Sequence, residues 1–146
     1  MQANNEVAKA PPPMTSPFLK RLGIILDERH PGHARLHMKI EDSHLQGGGI
    51  VHGGLLATMA DCSLSNALRD MLKPEEDSST IELKVNYLSP GRLGETLVVE
   101  GNIVQRGGRI AVGETEVREE STKRLVLKGI GTFIVQQRRP PPGPVS

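Results

Sequence analysis

The sequence predicts an α+β fold in which a strongly curved antiparallel β-sheet wraps around one long helix. Three observations predict it. One stretch near the middle, residues 53–72, carries small and apolar residues at helical spacing. The segments on either side alternate apolar and polar residues with the period of a half-buried strand. The later segments are joined mostly by short turns, which force antiparallel pairing. For 146 residues one domain is the default, and the folded unit is expected over 17–138. Aromatic residues make up only 2% of the chain, so the core must be built from Leu, Ile, Val, Ala and Met.

Taken in order, residues 1–16 are polar and hold Pro11, Pro12 and Pro13, and an unstructured lead is expected. PFLKRLG at 17–23 predicts a short opening helix. Two short strands follow around a turn at His30-Pro31-Gly32, and in the second of them Ala34, Leu36, Met38 and Ile40 share the inward face. In the long helix, Leu56, Met59, Ala60, Ser63, Ala67 and Leu68 recur every three or four residues, over a length of roughly 30 Å. Lys73-Pro74 stops it. After a polar loop, residues 80–90 form a strand with Ile81, Leu83, Val85 and Tyr87 on one face. Three more strands follow at about 95–106, 109–120 and 124–138, divided by Gly107-Gly108 and by Glu120-Ser121-Thr122-Lys123. Gly101, Gly113, Gly129 and Gly131 inside them point to bulges or sharp curvature. A proline-rich tail at 139–146 cannot join a sheet ladder and is expected to be unstructured.

Composition narrows the function. Eighteen basic residues balance 17 acidic ones, so no basic field draws the chain to nucleic acid or to a membrane surface. No apolar run approaches the ~20 residues that span a bilayer. The start lacks the charged and apolar regions of a signal peptide. Cys62, the one cysteine, suits a reducing cytosol, and a cytoplasmic location is expected.

The chemistry concentrates in HLQGGGIVHGGLLATMAD, residues 44–61. The segment spends five glycines, three before the helix and two at its start, and then plants an acid, Asp61, about two turns on. A helix N-terminus offers unpaired N–H groups and about half a positive charge, and glycine lets a ligand approach that backbone. Residues 47–54 are thus a candidate anion or oxyanion site. Asp61 lies eight residues beyond Gly53, about 12 Å along the axis. One helix cannot bring both groups to one reacting carbon. Two antiparallel helices from two subunits can, so a site shared across a dimer is expected. The small apolar flanks of Asp61 favour a partly buried acid, which suits a general base. His52, at the helix start, is expected to hydrogen-bond the loop backbone rather than to act in catalysis. The spacing of His44, His52, Asp42 and Asp61 fits no standard metal site, and no metal is expected. Cys62 has no activating neighbours and is expected to fill space.

Gln46, Gly49, His52, Gly53, Gly54, Leu55 and Asp61, with Tyr87-Leu88-Ser89-Pro90, Leu93-Gly94-Glu95, Arg106 and Gly108-Arg109 downstream, resemble the PaaI-type acyl-CoA thioesterases of the hotdog fold. The resemblance covers about residues 35–137. It implies a dimer with a continuous sheet, commonly paired into a homotetramer, and hydrolysis of an acyl-CoA thioester with no cofactor beyond the coenzyme A of the substrate. By position, Gly53 N–H would polarise the thioester carbonyl, Gln46 would hold the carbonyl or orient water, and Asp61 would act as nucleophile or base. Thr80, with Ser65 as the other hydroxyl, would help place the water. Arg106, Gly108, Arg109 and Arg138 are the candidates for the coenzyme A phosphates. Leu55, Met59 and Leu68 would line the acyl pocket. Gln46 departs from the asparagine common in the family and resembles the hydroxybenzoyl-CoA branch, which pairs it with Glu where this chain has Asp61. The alternatives are an acyl-CoA binding or sensing module without catalysis, and an enoyl-CoA hydratase or dehydratase working through His52 and Asp61.

Overall fold

The computed structural model describes residues 16–140 and 143. Apart from Ser16, Arg139, Pro140 and Gly143, the two terminal segments expected to be unstructured lie outside the described residues. The chain runs α1 (Pro17–Leu22), β1 (Ile24–His30), β2 (His33–Lys39), a single 3₁₀ turn (Asp42–His44), α2 (Gly53–Arg69), β3 (Glu76–Tyr87), β4 (Thr96–Arg106), β5 (Ile110–Glu119) and β6 (Leu125–Gln137). No helix among the described residues is long and apolar enough to cross a membrane.

Helix α1 starts and stops where its sequence says. Ser16 caps the Leu19 N–H, Pro17 occupies the first turn, and Gly23 closes the helix in the left-handed conformation at φ 74°. The Pro31-Gly32 turn joins β1 to β2, with Gly32 at φ 84°. Ala34, Leu36, Met38 and Ile40 are all buried, as their alternation requires. Helix α2 is 17 residues long, three shorter than the expected stretch. Asp70 caps it, and the chain continues to Leu72 in single turns through Met71 N–H to Leu68 O and Leu72 N–H to Arg69 O.

The six strands form one antiparallel sheet in the order β1-β2-β4-β5-β6-β3. The meander β4-β5-β6 follows from its two tight turns. Strand β3 differs from expectation in three ways. It begins at Glu76, inside the stretch expected to be a loop. It pairs with β6 and not with its neighbour in sequence β4, so residues 88–95 carry the chain across the sheet. A bulge between Thr80 and Glu82 breaks its alternation and leaves Ile81 exposed. Tyr87, expected on the inner face, is also exposed. The bulges fall at Leu26/Glu28, Thr80/Glu82, Ile103/Gln105 and Val117/Arg118.

The strand glycines therefore do not mark bulges. Gly101 pairs with Thr115, and Thr115 with Gly129; Gly113 pairs with Gly131 in the next inward row. A methyl group on Gly101 would lie 2.6 Å from the backbone C and O of Ser63, and one on Gly131 would lie 2.7 Å from Leu64 Cδ1. Bare backbone in these rows lets α2 descend onto the sheet. The approach buries Ser63 and Thr115 completely, and their hydroxyls satisfy each other at 2.8 Å while Ser63 Oγ also donates to Ala60 O. The inner face of α2 is the expected one, with Leu64 added to it.

The β5–β6 turn is held by one carboxylate. Glu119 accepts from the N–H and hydroxyl of Thr122, at 2.7 and 2.6 Å, and from the N–H and hydroxyl of Ser121. These bonds, the Thr122 hydroxyl first, lower its pKa from 4.5 to about 2. A carboxylate whose folded pKa is depressed stabilises the fold above its unfolded pKa and loses that contribution as pH falls through the folded one. Urea midpoints should accordingly decline between about pH 4.5 and about pH 2. In Glu119→Gln the midpoint is expected to be lower at neutral pH and flatter across that window.

Candidate active site

The glycine loop is a built turn. The 3₁₀ turn sets it up: buried His44 accepts the Glu41 N–H at Nδ1 and places Nε2 3.0 Å from Leu22 O. Gln46 and Ile50 close the loop through Gln46 N–H to Ile50 O, and Gly49 N–H donates to Gln46 O with Gly49 at φ 79°. Val51 then donates to Gly91 O and His52 to His44 O, which fixes the entry of α2. The Gln46 side chain turns back on the loop, its Oε1 accepting the Gly48 N–H.

Helix α2 opens with most of its first N–H groups already committed. Nδ1 of His52 accepts the Gly54 N–H at 3.1 Å, and His52 O accepts those of Leu55 and Leu56. The expected structural role of His52 is what the geometry shows: it is the helix cap. Among the described residues no protein group takes the Gly53 N–H. The helix thus presents one free donor at the positive end of its dipole.

Two turns on, Asp61 is half-buried on the helix face that the sheet leaves uncovered. Thr80 Oγ1, from β3, donates to Asp61 Oδ1 at 2.7 Å. Ser65 instead donates to Cys62 O. Of the two candidate hydroxyls, Thr80 is the one on the carboxylate, and Oδ2 remains for another partner. A cleft of about 770 Å³ opens along this face, lined by Phe18 and Leu19 of α1, by Gly54, Thr58 and Asp61 of α2, and by Thr80 of β3 among others. Met59 and Leu68, expected to line an acyl pocket, are instead fully buried against the sheet, and Leu55 packs on the same core. Small residues of the outer face, Ala57 and Thr58, take their place.

Cys62 also borders the cleft, but desolvation first, and then the negative charge of Asp61, push its thiol up to about 12. At pH 8 only about one thiol in ten thousand is ionised. An aromatic disulfide reagent should leave Cys62 unmodified in the folded protein and titrate one thiol after denaturation.

The arginines gather at the other end of α2. Arg106 is engaged within the fold, paired with Glu76 at 3.2 Å and donating to the carbonyls of Gly107 and Gly108. It holds the hairpin to β3, so its guanidinium is already shared with Glu76. Arg109 and Arg138 are exposed near it and, among the described residues, are tied in through backbone bonds, Val135 N–H to Arg109 O and Arg138 N–H to Glu75 O.

One feature of the site escaped the sequence. Tyr87 donates from its hydroxyl to Gly53 O at 2.9 Å, and its ring lies against Gly53. That the chain has a single tyrosine was the available signal.

The sequence model of the thioesterase superfamily matches residues 48–126, which hold both the helix start and Asp61. Human acyl-coenzyme A thioesterase 13 is 30% identical over 131 residues, covering 88% of this chain and 91% of that protein. A Streptococcus mutans structure bound to acetyl CoA superposes with a TM-score of 0.73 at 26% identity, over 80% of this chain and 91% of that one. A mutant of the phenylacetic acid degradation protein PaaI from Thermus thermophilus gives a TM-score of 0.75 at 25% identity, over 82% and 98%. With its six-stranded antiparallel sheet around one long helix and its glycine loop before the helix, the chain belongs to the hotdog-fold thioesterase superfamily.

Proposed function

We propose that the protein hydrolyses an acyl-CoA thioester at a site that two subunits build together. The observation that carries this is the pairing of a free Gly53 N–H at the tip of α2 with a Thr80-held carboxylate, Asp61, two turns along the same helix. Asp61 takes a proton from water, and the resulting hydroxide attacks the thioester carbonyl carbon. The oxyanion forms at the Gly53 N–H, where a fixed donor and the helix dipole stabilise it more than the neutral carbonyl. Collapse breaks the C–S bond, and the leaving thiolate recovers the proton from Asp61. The products are a carboxylic acid and free coenzyme A. A single turnover in heavy-oxygen water puts the label in the product acid on this route, and label found in Asp61 would mark an anhydride formed by attack of the carboxylate and opened by water at the Asp61 carbonyl.

The sheet edge supports the shared site. β3 is a terminal strand with Ile81, Tyr87 and the following Leu88 all more than half exposed. Antiparallel pairing of two β3 edges about an axis between Leu83 and Lys84 sets Thr80 opposite the partner's Tyr87. Thr80 holds Asp61 and Tyr87 holds Gly53, so the same pairing brings Asp61 toward the partner's Gly53. Pairing would also cover an edge that otherwise invites aggregation. Gln46 would orient the water or carbonyl after releasing its loop bond. Arg109 and Arg138 are the exposed cations for coenzyme A phosphates; the acetyl CoA bound to the S. mutans relative supports that ligand class. A homotetramer of two such dimers is the assembly proposed.

The test is release of free thiol from short, medium, long and aryl CoA esters, read alongside sedimentation. Turnover by a dimer or tetramer supports the proposal. A fully active monomer at assay dilution would sink the shared site, and binding without turnover would make the protein an acyl-CoA sensor.

A further inference from the structure

We propose that Tyr87 is a positioning residue for the oxyanion donor, and that its ring crowds the place a side chain at residue 53 would take. The inference rests on the thioesterase function proposed above. Gly53 opens α2 with no side chain to restrict its torsions, and glycine is the residue with most freedom to lose on ordering. A donor on so soft a residue is not pre-aimed unless the flanking peptides are clamped. The peptide between Gly53 and Gly54 is clamped from both ends. Tyr87 Oη donates to its carbonyl at 2.9 Å, and His52 Nδ1 accepts its N–H at 3.1 Å. The peptide that carries the Gly53 N–H is itself held through His52 O, which accepts the Leu55 and Leu56 N–H groups, and the Tyr87 bond fixes the peptide that follows, so the donor is held on both sides of the Gly53 Cα.

The tyrosine ring completes the device. A methyl group on Gly53 would lie 3.3 Å from Tyr87 Cζ and 3.4 Å from its Oη. A side chain at 53 and a hydroxyl on the Gly53 carbonyl therefore compete for one space. A methyl group there would require the phenol to give way by a few tenths of an ångström, at the cost of its bond to the Gly53 carbonyl. Tyr87 also sits on β3, seven residues after Thr80. One strand consequently holds the acid through Thr80 and the donor through Tyr87.

Tyr87→Phe removes the hydroxyl and leaves the ring, so packing and folding should persist. Two readouts are needed: steady-state kinetics with an accepted acyl-CoA, and amide hydrogen exchange at Gly54 by NMR. The expected result is a kcat lower by about tenfold with KM unchanged, and Gly54 exchange faster by about tenfold, the size of one neutral hydrogen bond. The melting temperature should fall by no more than about 4 °C, and the sedimentation profile should match that of the wild type. Unchanged Gly54 exchange would overturn the clamp whether or not the protein is a thioesterase. Faster exchange with unchanged kcat would overturn the positioning role. Absence of wild-type turnover across the ester panel would be failure of the thioesterase function itself, seen before any variant is compared, and would take the catalytic role of Tyr87 with it. A Tyr87→Leu variant, lacking the ring, should show the same kinetic loss and additionally tolerate Gly53→Ala; intolerance there would contradict the competition for space.

Discussion

Replacing Asp61 by asparagine is expected to lower kcat about 10³-fold on the proposed route, within the usual span for loss of a general base. The carboxamide keeps an oxygen for the Thr80 hydroxyl, so the 2.7 Å bond and the fold should survive. What disappears is the acceptor for the proton of water. KM should change little, because the loss falls on the transition state and not on ground-state binding. The measurement is thiol release by wild type and variant at equal, verified oligomeric state. Full activity in the variant would remove Asp61 from the chemistry. An internal control comes from Cys62, whose thiol is held up in part by the charge of Asp61. In Asp61→Asn that contribution vanishes, and the thiol should react with a disulfide reagent sooner as pH rises.

The largest effect on stability is expected at Gly101. Its missing side chain is where the backbone of Ser63 lies, 2.6 Å from an ideal Cβ. Backbone cannot swing away as a flexible side chain can, so Gly101→Ala must lift α2 or bend β4. Overpacking of this kind costs about 3 kcal/mol, which lowers the melting temperature of a domain this size by about 10 °C. The displaced helix also carries the buried Ser63–Thr115 bond, which the shift would stretch. Gly108→Ala is the control, because its Cβ would meet nothing within 4 Å. Equal melting temperatures for the two variants would mean that helix and sheet are not held in close contact by these glycines.

Much of the fold was legible because its elements are periodic. Ala34 to Ile40 and the inner face of α2 each present a regular apolar stripe, and both stripes are buried as written. Turn chemistry placed the β4-β5-β6 meander. What was not legible is what local patterns do not encode. Alternation says which face of a strand is inward, but not which strand lies beside it, so the pairing of β3 with β6 is not written in its pattern. The tight-turn residues at 89–94 read equally well as a hairpin or a crossing. An internal glycine reads alike whether the strand bulges there or a helix presses on it, and Gly101 and Gly131 proved to be the second kind.

The candidate site divides in the same way. His52 before two glycines, and Asp61 eight residues after the first, were visible as chemistry out of place on a helix. The Thr80–Asp61 bond joins residues 19 apart, and the Tyr87–Gly53 bond joins residues 34 apart. Neither follows from spacing. Arg106 stood out in the sequence as a cation beside a turn, and only its partner Glu76, thirty positions earlier, shows that it braces the fold.

The bare strip beneath α2 carries an implication for how this chain can diverge. Elsewhere in a packed interior a gain of volume at one position can be offset by a loss at its neighbour. Over Gly101 the neighbour is the backbone of Ser63, which has no side-chain atoms to give up. Drift there is barred to single steps, and variation among related proteins should collect on the outer side of the sheet while the strip stays free of side chains. A natural homologue with a larger residue at position 101 should also carry a helix displaced outward at position 63.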